Sequence, residues 1–532
     1  MKKTLLVIFC ILTFATVLPA DNRPLANDNK SGTYSKSIEQ VLRLSPEDID
    51  LATAALIISE QWSDVVGGRN YLSKLDDMAY EIRNRMDAGR IAANYKAVPI
   101  INKYLFEELG FKSVNDANNP DDLFLHSVLD KKQGYCLSLS VLYLSIGERL
   151  GMPLYGVVVP GHFFVRYDDG LVRFNIETTS NGGSADDNHY REKFKVPEND
   201  SIYMSNLNKR QTLGCLFNNL GNSYNDAGNT ESAMQVLERA VEINPSLSES
   251  RTNLGNIYQK KGRIDDAIYQ YRSALKINLN DSKTHNNLGN AYTKKEWFND
   301  AISEYEISLK LDSNFIECYK NLANAYLKKE LYRQAISILN QALYIDPRNA
   351  GLYCQLGDAY SLQKDYENAV PQYKKALALK MDSAEANLGL ATCYSKQGLI
   401  SEEIEAYKRA LAVEPNMAGA LVNLGNAYFG QKKYDAAIKE YLKAAGFKPT
   451  DGSIHYNLGT AYSNKANYDN AAKEYLKAIE LEPKMADAHN GLAFVYYRLK
   501  QYELARKHIE IARQLGADVP KELSEAIEEK TR

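Results

Sequence analysis

Cys136, His162 and Glu177 are the residues whose types and order could do covalent chemistry. Cys136 follows Gly134-Tyr135 and opens an apolar run, Leu137 to Leu150, that Gly151-Met152-Pro153 ends. His162 comes after the strand-like run Leu154 to Val159 and Pro160-Gly161. Glu177 closes the run Phe174-Asn175-Ile176-Glu177. A thiol, a base and a group that orients the base make a cysteine nucleophile that attacks an amide carbonyl. At a helix start the unpaired amides and the helix dipole favour the thiolate, the reactive form. The same amides, that of Cys136 included, suit a developing oxyanion.

The hairpin around these residues can be set in register. Asp169-Gly170 reads as a two-residue turn between runs rich in Phe, Val and Tyr. That turn puts Asp168 opposite Leu171, Phe164 opposite Asn175 and His162 opposite Glu177. Opposed residues, and residues two apart, share a face. His162, Asn175 and Glu177 therefore converge, and either Glu177 or Asn175 is placed to orient the imidazole. No closely spaced ligand pair such as CxxC accompanies them, so neither a metal nor another cofactor is expected.

The elements that must position this hairpin are mostly helical. Ser45-Pro46-Glu47-Asp48 reads as a helix start, with Ile49, Ala52, Leu56 and Ile57 recurring at helical spacing after it. Further helices are expected around Tyr71 to Met86, Val98 to Leu109 and Phe124 to Leu129. The segment Asn115 to Asp122 reads as a loop. Leu137 to Leu150 is apolar nearly all round, which makes it the central helix of its domain.

The run GYCLSLSVLYLSIGERLGMPLYGVVVPGHFFVR, followed by FNIETT, resembles the transglutaminase-like superfamily of papain-type cysteine folds. It is most similar to the bacterial branch in which such a domain precedes helical repeats. The likeness covers about 100–190 and extends toward 40. It implies Cys136 as nucleophile and His162 as base. The family's third member is an Asp in an Asp-Pro-Thr-like run, which Glu177-Thr178-Thr179 matches with Glu for Asp; Asn175 matches the Asn of papain-like enzymes.

Beyond Asn199 the pattern changes. Leu-Gly or Leu-Ala, with a Tyr four residues after the Leu, recurs every 34 residues from Leu220/Tyr224 to Leu492/Tyr496. Small residues return in step, from Ala233 to Ala505, with Glu403 in that place in the sixth unit, where irregular packing is expected. This is the tetratricopeptide pattern, with nine copies stacking into a superhelix that has a concave face. The first helices carry two amide rows along that face, one residue before the Leu and two after it. In the first four units these are Asn219, Asn253, Asn287 and Asn321, then Asn222, Asn256, Asn290 and Asn324. Amides donate and accept, as the backbone of an extended peptide requires. Lys260, Lys294 and Lys328, one turn on, favour acidic segments. The rows break at Gln355, Asp358, Gly389 and Thr392.

Across 532 residues the net charge of -3 gives no reason to expect nucleic acid. Lys2-Lys3, an apolar stretch from Leu5 to Leu18 and Ala20 before Asp21 read as a secretory signal. The protein is thus expected to be exported, periplasmic or extracellular, with no membrane span after cleavage. Five scattered cysteines would remain, an odd number that is no disulfide framework, and they read as packed thiols by default. The expected fold is an α+β transglutaminase-like domain followed by an all-α tetratricopeptide repeat superhelix. The expected divisions are 1–20 signal, 21–40 linker, 41–200 transglutaminase-like domain, 214–519 repeats and 520–532 capping helix. Two functions compete: a repeat scaffold presenting a protein or peptide for amide hydrolysis or transamidation, or a non-catalytic scaffold whose first domain is inactive or only holds a ligand.

Overall fold

The computed structural model describes residues 37–63, 67–114, 119–196 and 202–531. The expected signal stretch and most of the linker lie outside the described residues. The chain divides into two compact units, one ending at Leu288 and one starting at Gly289. The division falls inside the repeats, not at their start.

In the first unit the helices are α1 (Ile38–Val41), α2 (Leu51–Trp62), α3 (Gly68–Ala88), α4 (Val98–Asn102), α5 (Leu125–Lys131), α6 (Cys136–Leu150) and α7 (Asp187–Lys193). Two pairs follow, α8 (Lys209–Asp226) with α9 (Thr230–Ile243) and α10 (Ser248–Lys260) with α11 (Ile264–Ile277). Helix α2 begins later than Ser45-Pro46 suggests. The Ser45 hydroxyl bonds Asp48 Oδ2 at 2.8 Å within a turn, and Asp50 caps the helix by accepting from Thr53 N at 2.6 Å. Past Asn102, helix α4 widens into a π-helical turn, Lys103–Glu108.

Strands β1 (Lys112–Ser113) and β2 (Gln133–Gly134) pair in parallel, and β3 (Leu154–Val159), β4 (His162–Asp168) and β5 (Arg173–Ile176) form an antiparallel sheet in that order. Helix α6 is buried along almost its whole length and packs on β3 and β4. It is the central helix its composition suggested. The free edge of β3 is occupied by the approach to α8, where Met204 N donates to Val158 O and Leu207 N to Gly156 O.

The hairpin register differs from the expected one by two residues. Val165 faces Ile176, Arg166 faces Asn175 and Asp168 faces Arg173. The loop is four residues, Asp169 to Val172. Asp169 Oδ1 accepts from Leu171 N at 2.9 Å and Val172 N at 2.7 Å, which ties the loop together. A type I′ two-residue turn needs positive φ at both central positions, and here only Gly170 has it. A slip of two leaves every side chain on its own face, so His162 and Glu177 still share one.

One hydrophobic core runs from Ile38 to Leu247 and takes in the α+β elements and the first helix pair together. Polar ties reinforce it. Lys209 pairs with Glu148, and Arg210 donates to the carbonyls of Leu42 and Leu44. Tyr224 Oη donates to Trp62 O at 2.6 Å, and Arg239 pairs with Glu39 at 2.9 Å.

The repeats follow one plan within each unit. In the first, the Leu-Gly glycine Gly255 lies against the Tyr271 ring, which an added Cβ would strike at 2.5 Å, and Tyr271 Oη donates to Asn256 Oδ1 at 2.8 Å. In the second, Gly425, Tyr441 and Asn426 repeat the arrangement, with a 2.7 Å bond. The turn inside each repeat places one residue in the left-handed region: Gly228, Gly262, Glu296, Glu330, Lys364, Gly398, Lys432, Ala466 and Lys500. At the sixth small position, helix Ile400–Val413 runs through Glu403 without a break. Burial pushes that carboxyl up, and a hydrogen bond with Ser395 accommodates it. The C-terminal helix, Lys521–Thr531, buries Ser524 and Ile527 against the last repeat.

Candidate active site

Cys136 is the first residue of α6, and the backbone before it is held tightly. Ser138 Oγ accepts from Tyr135 N at 2.9 Å and donates to Asp122 O at 2.9 Å. Gly134 is packed so closely that a Cβ there would meet Ser138 Oγ at 2.6 Å and Val128 at 2.9 Å. From the other side, Thr178 Oγ1 bonds Ser140 Oγ at 3.0 Å and reaches Cys136 O at 3.4 Å, which fixes the chain after β5 against α6. Cys136 is half-buried, whereas Cys215, Cys318, Cys354 and Cys393 are buried and all five are free.

His162 opens β4 and sits between Glu177 and Cys136. Its Nε2 lies 2.7 Å from Glu177 Oε2, and the Cys136 side chain is close enough to the ring to favour its charged form. Burial alone would push the imidazole down. The bonds and charges of Cys136 and Glu177 outweigh it, and the ring is pushed up to about 9. For Glu177, burial raises the carboxyl, but His162 and Thr179 overcome that and hold it below its ordinary value. Its Oε1 accepts from Thr179 N at 3.1 Å and Thr179 Oγ1 at 2.6 Å.

Two aromatic residues from the α7 segment cover this pair. Phe194 stacks on the His162 ring with centroids 4.9 Å apart and planes 4° from parallel. Tyr190 stacks on Phe164 at 4.0 Å and donates its hydroxyl to Glu177 Oε2 at 3.0 Å. Burial beside Glu177 pushes the phenol up, so it stays a donor. Sequence reasoning missed both; the signal was an i, i+4 aromatic pair, Tyr190 and Phe194, in an otherwise polar segment.

Asn175 does not reach His162, which corrects its expected role as an alternative orienter. It faces Arg166, accepting from Nε at 2.8 Å, and its amide donates to Ala185 O at 3.0 Å and Asp187 Oδ1 at 2.8 Å. The cause is Arg166, a mid-strand cation buried completely. It draws Asn175, Asp187 and the carbonyl of Met204 around itself.

The amide rows are bonded partly within the fold. In the first unit Asn253 donates to Asn218 Oδ1 and Asn287 to Asn256 Oδ1, each at 3.0 Å, while Asn219 and Asn222 are half-buried. Lys260 Nζ contacts Asn225 Oδ1 at 3.2 Å. In the second unit Asn290 Oδ1 accepts from Tyr305 Oη at 2.7 Å; Asn321 is half-buried, and Asn324, Lys294 and Lys328 are exposed. Asn256 and Asn290 thus brace the second helix of their own repeats.

The elevated imidazole has a stability consequence. Protonated His162 stabilises the fold fully below its ordinary value of 6.5, and this contribution disappears as pH rises through about 9. Wild type should therefore lose roughly 1–3 kcal/mol relative to His162→Gln across that window, read by urea unfolding at each pH. Parallel curves would show that the ring is not held between two partners.

Residues 69–213 match the family model described as the transglutaminase-like superfamily. Tetratricopeptide models match 221–296, 357–398 and 425–500 under one description and 282–349 and 384–417 under another. The chain is a transglutaminase-like domain followed by tetratricopeptide repeats. A UPF0162 protein of Xylella fastidiosa (strain 9a5c) is 26% identical over 212 residues, 38% of this chain and 73% of that protein. F-box only protein 21 of Mus musculus is 39% identical over 71 residues, 13% of this chain and 11% of that protein. A crystal structure of MamA is 26% identical, covering 30% of this chain and 94% of that one with a TM-score of 0.30. A transglutaminase-like domain joined to such repeats is the architecture of a protein-binding scaffold. Among the described residues, no helix is long and apolar enough to cross a membrane.

Proposed function

We propose that the transglutaminase-like domain is a thiol-dependent acyl-transfer site acting on a protein or peptide, and that the repeats hold this partner as an extended chain. The observation that carries the reading is the His162 ring, bonded to Glu177 at 2.7 Å and set beside the Cys136 thiol. Cys136 Sγ attacks the amide carbonyl carbon, and the Cys136 N–H at the start of α6 faces the resulting oxyanion. His162, protonated at neutral pH, gives its proton to the departing amine as the C–N bond breaks, leaving a thioester. Water or a second amine then attacks; His162 accepts its proton, and the thiolate leaves. Water gives hydrolysis and an amine gives transamidation. Glu177 holds the ring and balances its charge throughout. The amide rows and the Lys residues beside them support an extended, acidic partner, and the basic-apolar N-terminal stretch supports export to the periplasm or beyond.

Iodoacetamide alkylation against pH tests the thiol. Among the described residues Cys136 is the half-buried cysteine and the other four are buried, so labelling is read at Cys136 by peptide mapping. At neutral pH the wild-type rate should exceed that of His162→Ala roughly tenfold, because the variant lacks the imidazole that activates the sulfur. A wild-type profile matching an ordinary thiol, with no response to His162→Ala, would leave the non-catalytic scaffold as the reading.

A further inference from the structure

The last repeat holds a side-chain pair that the chemistry at Cys136 does not use. Its helices are Ala486–Arg498 and Tyr502–Gln514, and between them His489 Nδ1 lies 2.9 Å from His508 Nδ1. The two rings stack at 5.2 Å, 27° from parallel. His489 is buried, and its Nε2 sits 3.3 Å from the carbonyl oxygen of Pro483. A carbonyl only accepts, so Nε2 carries a hydrogen and donates to it. In the neutral ring that leaves His489 Nδ1 as a bare acceptor, and His508 Nδ1 donates the shared hydrogen.

The preceding repeat supplies an internal comparison. His455 and Glu474 occupy the same two places one period earlier. His455 Nε2 makes the same backbone contact, 3.3 Å to Pro449 O, but its Nδ1 lies 2.6 Å from Glu474 Oε2. Both nitrogens there face acceptors, so an added proton has a bond waiting. In the last repeat a histidine stands in place of that carboxylate. Burial and the charges of His489 and Lys507 push His508 down to about 4. The surroundings offer no substitute. On the facing helix Tyr496 lies against His508 as a ring, at 5.7 Å. In the preceding repeat Glu474 is taken by His455, and on the second helix Arg506 contacts Glu503 and Glu510. On the C-terminal helix Lys521 pairs with Glu525, and Glu528 is joined to Arg513 through Ser524. Among the described residues no carboxylate is bonded to either ring.

A first proton leaves the pair intact, because a charged His508 still donates from Nδ1 to His489. A second has only His489 Nδ1 to occupy, and it sets two N–H groups and two positive charges face to face across 2.9 Å. We propose that the pair is an acid-sensitive latch: the second proton opens the last repeat and frees the C-terminal helix packed on it, while the earlier repeats stay folded. Its place in the array keeps the opening local. A repeat is supported by its neighbours alone, and a small cluster of Ala493, Ala505, Ile509 and Ile527 joins this repeat to the C-terminal helix. His508 is held below its ordinary value of 6.5, so the stability it contributes is complete above that value and is lost as pH falls toward about 4. The latch is independent of the chemistry at Cys136.

Hydrogen–deuterium exchange of the full chain tests the latch at about pH 7.5 and about pH 5, with labelling times scaled for the intrinsic pH dependence of amide exchange. The eighth repeat is the reference inside the same molecule. Between the two conditions the opening constant of the last repeat should rise about thirtyfold over that of the eighth, the effect of one proton taken up below 6.5. His508→Glu installs the pair that the eighth repeat already carries, and His508→Gln leaves a side chain that does not titrate. Both variants should lose the rise. An equal rise in both repeats, no rise in the last one, or a rise that survives either substitution overturns the proposal.

Discussion

A chain ended at Asn208 is expected not to fold, although almost the whole transglutaminase-like match lies before that point. Helix α8 puts Leu213, Cys215, Leu216, Phe217 and Leu220 into the same core as β3, β4 and α6. Four of these are large, and at about 1.5–3 kcal/mol for each large apolar side chain their loss removes on the order of 10 kcal/mol, comparable with a domain's entire stability. The truncation also strips the ties from Lys209, Arg210 and Tyr224 to α6, to the α1–α2 connection and to Trp62. A chain ended at Asn280, which keeps both helix pairs of the first unit, should retain a cooperative thermal transition and the elevated His162 titration. Near-ultraviolet circular dichroism distinguishes the two chains. A native-like spectrum from the Asn208 chain would show that the shared core is dispensable.

Arg166→Met should produce the largest effect of any single substitution near the site. Its guanidinium is fully buried and bonds Asn175 at 2.8 Å, Met204 O at 2.6 Å and Asp187 at 2.6 Å. Breaking a buried pair by removing one partner costs about 3–5 kcal/mol, because the other groups lose their partners. Asp187 is the first residue of α7, so the change also frees the segment whose Tyr190 and Phe194 cover His162. Two readouts follow: a lower melting temperature, and a His162 titration displaced from about 9 because Tyr190 and Phe194 no longer shield the ring and Glu177 from water. A destabilised variant with an unaltered His162 titration would mean that α7 holds its place without Arg166.

Much of this arrangement was legible before any coordinates. The repeats could be read because a 34-residue period fixes which positions meet, whatever the local irregularities. The His162–Glu177 pair was legible for a subtler reason: strand alternation encodes the face a residue takes, and a register error of two does not change faces. The register itself depended on Asp169, whose carboxylate organises a longer loop than Asp-Gly alone suggests. Asn175 was misassigned because a buried arginine in mid-strand competes for it, and alternation cannot say that a charged residue points inward. The Tyr190–Phe194 cover was missed because its only signal, an i, i+4 aromatic pair, stands in a segment with no apolar pattern around it. The shared core was hidden because Leu213, Leu216 and Phe217 serve the first repeat and the domain before it at once.

The left-handed turn residues have a consequence for how the array opens. Three repeats use glycine there, and six force a side chain into that conformation at Glu296, Glu330, Lys364, Lys432, Ala466 and Lys500. A left-handed residue with a Cβ is disfavoured by about 1–2 kcal/mol, partly offset by the larger unfolded-state entropy of glycine. In a linear array each repeat is supported only by its neighbours, so such local differences are not averaged away. Amide hydrogen exchange should accordingly be uneven along the helices, slower beside Gly228, Gly262 and Gly398 than beside the six substituted turns. How readily a stretch of the array breathes is then written into its turns, leaving the helix faces free to vary with whatever they bind.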